Sequence, residues 1–378
     1  MTRPPAGPRP SPRGRVRLGL WGATSSGKTT LMAAMQLAAI QHKPREPGGR
    51  HVRWTITSAD RATGSALERL RSTLVQDHRF PPATLANTPL RLIFEGRVLR
   101  PGSSPARPRP ERTPPIDFTL DFLDVSGALY YRGGGSGGSE ISTLDGGSGS
   151  GSGGGGGGGG VEDDGLRFDD DETSAPTPAR RPPDRGAAQH EELVDHLVRC
   201  DGIVLLFDPI RERDRADGDN YAYFDAMINR VLEKVRTAGR SRGGLLPHHL
   251  AVCVTKFDDP RVLGVALDGR LNTLANGSGP PRIESDVAHR YFDQLCNRST
   301  GASHLRDAIG GFFDPSRVRF YATSSIGLFV GPDGRFNPVD YSNIVMTGGV
   351  PRIRGRVAPM NVLEPVVGLV TRINGERR

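Results

Sequence analysis

Lysine is nearly missing from this chain. Of its 50 lysines and arginines, four are lysine: Lys28, Lys43, Lys234 and Lys256. Arginine stands almost wherever a positive charge suffices, so a lysine retained at a motif position that needs a slim ammonium and not a guanidinium fork is a signal in itself. Cysteine is scarce too. Cys200, Cys253 and Cys296 are odd in number and widely spaced, which argues against a disulfide framework and fits the reduced thiols of a cytoplasmic protein. No apolar run approaches the ~20 residues of a membrane helix, and no signal-peptide core occurs at the start, so no membrane segment is expected. Aromatics make up 6% of the chain, and no aromatic-studded basic stripe accompanies the net charge of +8. Residues 1–17 carry five arginines and no acid, so the basic excess reads as a solvated tail and not as a nucleic-acid site. "HEELVDH" (190–196) lacks metal-ligand spacing and reads as the polar face of a helix.

Glycine and proline, by contrast, are plentiful. Residues 1–14 are rich in Pro and Arg, and residues 133–160 are almost entirely Gly and Ser. Neither stretch can bury enough apolar surface to form a core. The polar, Pro-rich sequence beyond residue 160 extends the expected unstructured insertion over 132–187. The remainder, 15–131 together with 188–378, is expected to fold as a single α/β domain.

The first functional signal is "GATSSGKTT", residues 22–30. It matches G-x-x-x-x-G-K-[ST] through Gly22, Gly27, Lys28 and Thr29, with Ser25, Ser26 and Thr30 completing the segment. An apolar strand, "VRLGLW", precedes it, and the helical pattern of "TTLMAAMQLAAIQ" follows it. A glycine-rich loop between a strand and a helix N-terminus is the context of a Walker A phosphate loop. Its backbone N–H groups and the helix dipole suit phosphate oxygens, Lys28 can reach β- and γ-phosphates, and the Thr29 hydroxyl can ligate Mg²⁺.

Three further strand-end motifs follow in order. "IDFTLDFLDVSG" ends in Asp124-Val125-Ser126-Gly127, where a carboxylate can hold Mg²⁺ and a glycine N–H can sense a γ-phosphate. "LAVCVTKFDD" ends in Thr255-Lys256-Phe257-Asp258. A carboxylate at Asp258 accepts hydrogen bonds from guanine N1 and the exocyclic amine, which adenine cannot offer, and the Lys256 stem can pack over the ring. "VRFYATSSIG", expected as the last strand, ends in Thr323-Ser324-Ser325, where the backbone N–H of a small residue can meet guanine O6. Strands alternating with helices predict an α/β fold with a doubly wound, mostly parallel sheet and its ligand along the carboxyl edge.

With these motifs together, GATSSGKT, DVSG, TKFD and ATSS, the chain resembles Ras-like GTPases of the translation-factor-related P-loop class (TRAFAC). "FPPAT" and "NVLEPVVGLV" are similar to segments of bacterial double-GTPase-type (DO-GTPase) proteins, which are associated with multi-component, conflict-type systems. The resemblance implies a P-loop NTPase fold, GTP and GDP as ligands, Mg²⁺ as cofactor and a protein partner at the switch regions. It implies a catalytic set of Lys28, Gly127 and a switch I threonine. Thr84, in "FPPATL", is the first choice for that threonine and a Mg²⁺ ligand, and Thr88 the second. The residue after DxxG, where such enzymes often carry a water-orienting Gln, is Ala128, so slow intrinsic hydrolysis is implied; Arg79 is a candidate cis arginine finger. The alternatives are a GTP-binding scaffold that barely hydrolyses, and an ATPase, which TKFD disfavours.

Overall fold

The computed structural model describes residues 16–23, 25–41, 51–82, 88–99, 116–124, 185–214, 219–271, 274 and 283–377. Residues 1–14 lie outside this set, as does the expected insertion, except for its last three residues.

The core is a four-stranded parallel sheet in the order β1-β5-β6-β7, formed by β1 (Leu18–Gly22), β5 (Gly202–Phe207), β6 (His249–Val254) and β7 (Val318–Ala322). "LGLWG", "GIVLLF" and "HLAVCV" are buried along their whole lengths. Such continuous apolar runs are what a parallel sheet covered on both faces requires. Successive side chains point to opposite faces, and the two cores divide accordingly. Trp21, Ile203, Leu205, Phe207, Val252 and Val254 pack into one. Leu18, Leu20, Val204, Leu206, Ala251 and Cys253 pack into the other.

The first core is closed by α3 (Arg185–Val198), α5 (Asp219–Thr237), α7 (Ser285–Cys296) and α8 (Thr300–Phe312). The second is closed by α1 (Lys28–Gln41), α2 (Arg61–Val75) and α9 (Glu364–Glu376). Two short helices, α4 (Pro209–Asp214) and α6 (Pro260–Ala266), leave the carboxyl ends of β5 and β6. The layers make an α/β architecture compatible with a Rossmann-like fold.

A second sheet is antiparallel: β2 (His51–Ser58), β3 (Thr88–Leu99) and β4 (Ile116–Asp124) in the order β2-β3-β4. β4 lies against β1, yet the two belong to separate hydrogen-bonded sheets. The α/β fold with a mostly parallel sheet is thus present as a four-stranded parallel sheet, and the antiparallel sheet beside it was not expected. Two more expectations are corrected. α3 begins at Arg185, ahead of the expected boundary at 188. β7 is not the last strand: β8 (Ile344–Thr347) and β9 (Val350–Ile353) pair as an antiparallel hairpin. Its two-residue turn, Gly348-Gly349, has positive φ at both positions, 58° and 77°, the backbone a tight hairpin turn needs.

Among the described residues, no helix is long and apolar enough to cross a membrane. Cys200, Cys253 and Cys296 are free and buried.

Candidate functional site along the carboxyl edge of the parallel sheet

β1, β5, β6 and β7 run parallel in continuous register, so the segments leaving their carboxyl ends share one edge. Loop 22–29 leaves β1, Asp208 follows β5, Thr255–Asp258 follow β6, and Thr323–Ser325 follow β7. β1 and β6 flank β5, which puts the first loop and the β6 loop roughly 10 Å apart in the hydrogen-bonding direction.

Loop 22–29 turns sharply. Ser25 has φ 62° and Gly27 φ 94°, left-handed conformations that Gly adopts freely and other residues rarely. At Gly22 a side chain is excluded for another reason: a Cβ would lie 2.6 Å from Ser26 Oγ and 2.9 Å from the Leu206 carbonyl oxygen. Lys28 opens α1 and is 7% exposed. Its Nζ donates to the carbonyl oxygens of Gly22 at 2.7 Å and Ala23 at 3.0 Å, so the ammonium is folded back inside its own loop. Ser26 is fully buried, and its hydroxyl has no partner among the described residues. Thr29 and Thr30 follow, half-buried, in the first turn of α1. A tight turn, a held cation and a helix N-terminus together suit an anion.

The loops after β6 and β7 are locked to each other and to β5. Thr255 donates its backbone N–H and, at 3.1 Å, its hydroxyl to the Phe207 carbonyl. Thr323 does the same to the Val254 carbonyl, its hydroxyl at 3.2 Å, and the Phe257 N–H donates to the Thr323 carbonyl. Both threonine hydroxyls thus fasten neighbouring strand ends.

Asp258 is buried, and the Ser324 hydroxyl donates to its Oδ1 at 2.5 Å. Burial pushes the Asp258 carboxyl up to about 6, with the Ser324 hydrogen bond opposing the rise. Ser324 Oγ also accepts from the Gly327 N–H at 2.8 Å. The backbone N–H of Ser324 donates to the Met360 carbonyl, so it is not available to a ligand. The neighbouring Ser325, half-buried, has no hydrogen-bond partner for its N–H among the described residues.

Lys256 has φ 55°, an uncommon conformation for a residue with a side chain. Its Nζ lies 2.5 Å from Asp208 Oδ2. Sequence reasoning passed over Asp208 and Gly327. Asp208-Pro209 carries a legible signal, an acid followed by Pro at the start of a helix. Gly327 carries none, since its need for glycine comes from a backbone approach by residue 358.

The remaining expected residues are placed only in part. Asp124 ends β4, and its main chain pairs with that of Thr88 in β3. Thr84, Gly127 and Ala128 lie outside the described residues. Arg79 is bridged through its backbone to Arg352 of β9, and among the described residues no hydrogen bond or ion pair joins it to loop 22–29. None of the described residues form a group of three or more His, Cys, Asp or Glu able to hold a metal ion. Compared with known proteins, the chain matches no family and no curated relative.

Proposed function

We propose that the chain binds a guanine nucleotide along the carboxyl edge of its parallel sheet and works as a slow, nucleotide-dependent GTPase switch with a P-loop NTPase fold. The observation that carries this reading is the placement of two chemically different loops on that edge. One is a tight loop around Lys28 at the end of β1; the other is a buried carboxylate, Asp258, clasped by Ser324 two strands away. The first suits phosphates and the second suits a guanine edge. Their separation of two strand spacings, roughly 10 Å, suits one nucleotide lying across β5.

The residues present fit the ligand. The Ser26 hydroxyl lacks a partner among the described residues, and the Lys28 ammonium rests on carbonyls it can leave for phosphate oxygens. Asp258 would accept from guanine N1–H and the exocyclic amine, and the Ser325 N–H would donate to O6. Mg²⁺ would be held by the Thr29 hydroxyl, by Asp124 and by a switch I hydroxyl, Thr84 first, and would neutralise phosphate charge. Lys28 and the loop amides would orient the phosphates. Ala128 supplies no side chain to orient a water, so turnover below about one GTP per minute is expected without a partner. A partner at the switch regions, within a bacterial multi-component system, would supply the missing group.

The test is the nucleotide that accompanies the purified full chain, released by denaturation and identified by chromatography, followed by competition between GTP and ATP. GDP or GTP with a preference over ATP is expected. Equal affinity for ATP and GTP would overturn the guanine reading, and turnover of several per second without a partner would overturn the slow switch.

A further inference from the structure

Asp208 is fully buried at the carboxyl end of β5. A carboxylate in such a place is costly unless paired and hydrogen-bonded, and Asp208 is held on every side. Its Oδ1 accepts from the backbone N–H groups of Ile210 at 3.0 Å and Arg211 at 3.3 Å, capping α4. Its carbonyl accepts from Asn220 Nδ2 at 3.1 Å, and Asn220 Nδ2 also donates to Glu212 Oε2 at 2.9 Å. Glu212 Oε1 in turn accepts from the Ser299 hydroxyl at the start of α8. The one oxygen left over, Oδ2, points to Lys256 Nζ at 2.5 Å.

The backbone of Lys256 follows β6, whereas its ammonium is anchored at the end of β5, the adjacent strand. The aliphatic stem must therefore bridge from one strand end to the next, along the edge assigned above to the nucleotide. Lysine ordinarily keeps large rotamer freedom. Here both ends are fixed, the backbone by a left-handed turn at φ 55° and the head by Asp208, while the side chain as a whole stays 37% exposed.

We propose that Asp208 is a positioning residue for purine binding: by holding the Lys256 ammonium it lays the lysine stem out as a preformed apolar shelf for the base. This rests on the guanine-nucleotide reading. A shelf meets the face of the ring and not its edge, so it supports guanine and hypoxanthine alike. Discrimination between purines stays with Asp258. Preorganisation acts by removing the ordering penalty of one long side chain, which sets the size of the effect.

Asp208→Asn keeps an oxygen to cap α4 and removes the charge that holds Lys256. Titration of the full chain with fluorescent GDP, and by competition with IDP and ADP, should show affinity for GDP and IDP falling by the same factor, roughly 2- to 10-fold, with the ratio between purines unchanged. Lys256→Met should give a similar loss, and the double variant no further loss. Unchanged affinity in Asp208→Asn, or losses that add in the double variant, would overturn the proposal while leaving the guanine reading standing. Wild-type protein that binds no guanine nucleotide would overturn both.

A second measurement needs no nucleotide. Reductive methylation with ¹³C-formaldehyde yields signals from only four lysines, and dimethylation keeps the charge and one N–H. The Lys256 signal, assigned with Lys256→Arg, should be the one that shifts in Asp208→Asn; an unshifted signal would overturn the anchoring. If Asp208→Asn does not fold, Asp208→Ser, which also offers a capping oxygen, takes its place in both experiments.

Discussion

The Ser324 hydroxyl donates to the Asp258 carboxylate across 66 residues of sequence, joining the loop after β7 to the loop after β6. The bond fixes the direction of a carboxylate that would otherwise be buried with little to orient it, and it keeps the charged form accessible against burial. Ser324 is itself held, because its backbone exchanges hydrogen bonds with Met360 in both directions.

Ser324→Ala removes the donor and leaves the carboxylate in place. A hydrogen bond to a charged group contributes about 1.5–3 kcal/mol, so GDP affinity should fall roughly 10- to 100-fold, with the circular dichroism spectrum preserved. Fluorescent GDP titration measures this. Unchanged affinity would mean that the clasp does not serve the base.

Guanine binding should depend on pH through Asp258. Its carboxyl is pushed up to about 6 in the nucleotide-free protein, from an ordinary value of 3.8. The stability that protonated Asp258 contributes is fully present below pH 3.8 and is lost as pH rises through about 6. Asp258→Asn, which cannot ionise, should therefore raise the Tm of the nucleotide-free protein at pH 8 relative to wild type. Guanine binding needs the ionised form, so wild-type GDP affinity should weaken as pH falls below about 6, with proton release on binding at pH 5.5. Calorimetry in two buffers of different ionisation enthalpy reads the protons directly. The same variant should lose GTP and gain relative affinity for xanthosine triphosphate.

Gly327 is the backbone hinge of the same clasp. It has φ 71°, and a Cβ there would sit 1.9 Å from the Ala358 carbonyl oxygen. Gly327→Ala thus combines left-handed strain with a clash against main chain that cannot swing away, a loss of about 3 kcal/mol or more. A fall in Tm of roughly 6–12 °C is expected for a domain of this size. Gly264, inside α6, makes the contrast: its nearest outside atom is Tyr341 Oη, 4.0 Å from an added Cβ. Gly264→Ala should leave stability unchanged or raise it by up to about 1 kcal/mol. Equal losses in the two variants would remove the special role assigned to position 327.

The parallel sheet was legible because β1, β5 and β6 are buried on both faces, and burial of that kind leaves an uninterrupted apolar run in the sequence. α8 was not legible. Gly301, Gly310 and Gly311 lower its intrinsic helix preference, and it forms around Leu305 and Ile309, which are buried in the core. The β8–β9 hairpin did carry a signal, Gly-Gly between two β-branched stretches, but in a chain this rich in glycine the pair did not stand out. At the site, the motif residues were legible one strand end at a time. Their partners were not: Asp208 is 48 residues from Lys256 and Ser324 is 66 residues from Asp258, and only the order of strands in the sheet brings them together.

The loop around Lys28 makes the sharpest demand on side-chain shape. Its ammonium donates to two carbonyl oxygens, of Gly22 and Ala23, while the residue is 7% exposed. The turn that carries these carbonyls is itself tightly packed, since an added Cβ at Gly22 would meet Ser26 and Leu206 below van der Waals distance. Lys28→Arg keeps the charge but puts a broad planar fork where a single tetrahedral nitrogen fits. The guanidinium cannot fold back on both carbonyls, nor swing from them to a phosphate without opening the turn at Ser25 and Gly27. Phosphate binding should therefore fail even though the net charge is unchanged. The expectation is a loss of GTP affinity of at least about 100-fold, as two charge-assisted hydrogen bonds at about 1.5 kcal/mol or more each would give, with the fold intact by circular dichroism. Lys256→Arg, at a site more than a third exposed, should be tolerated far better. Retained micromolar GTP binding in Lys28→Arg would show that the loop does not enclose the phosphates, and the nucleotide reading would have to be abandoned at its first residue.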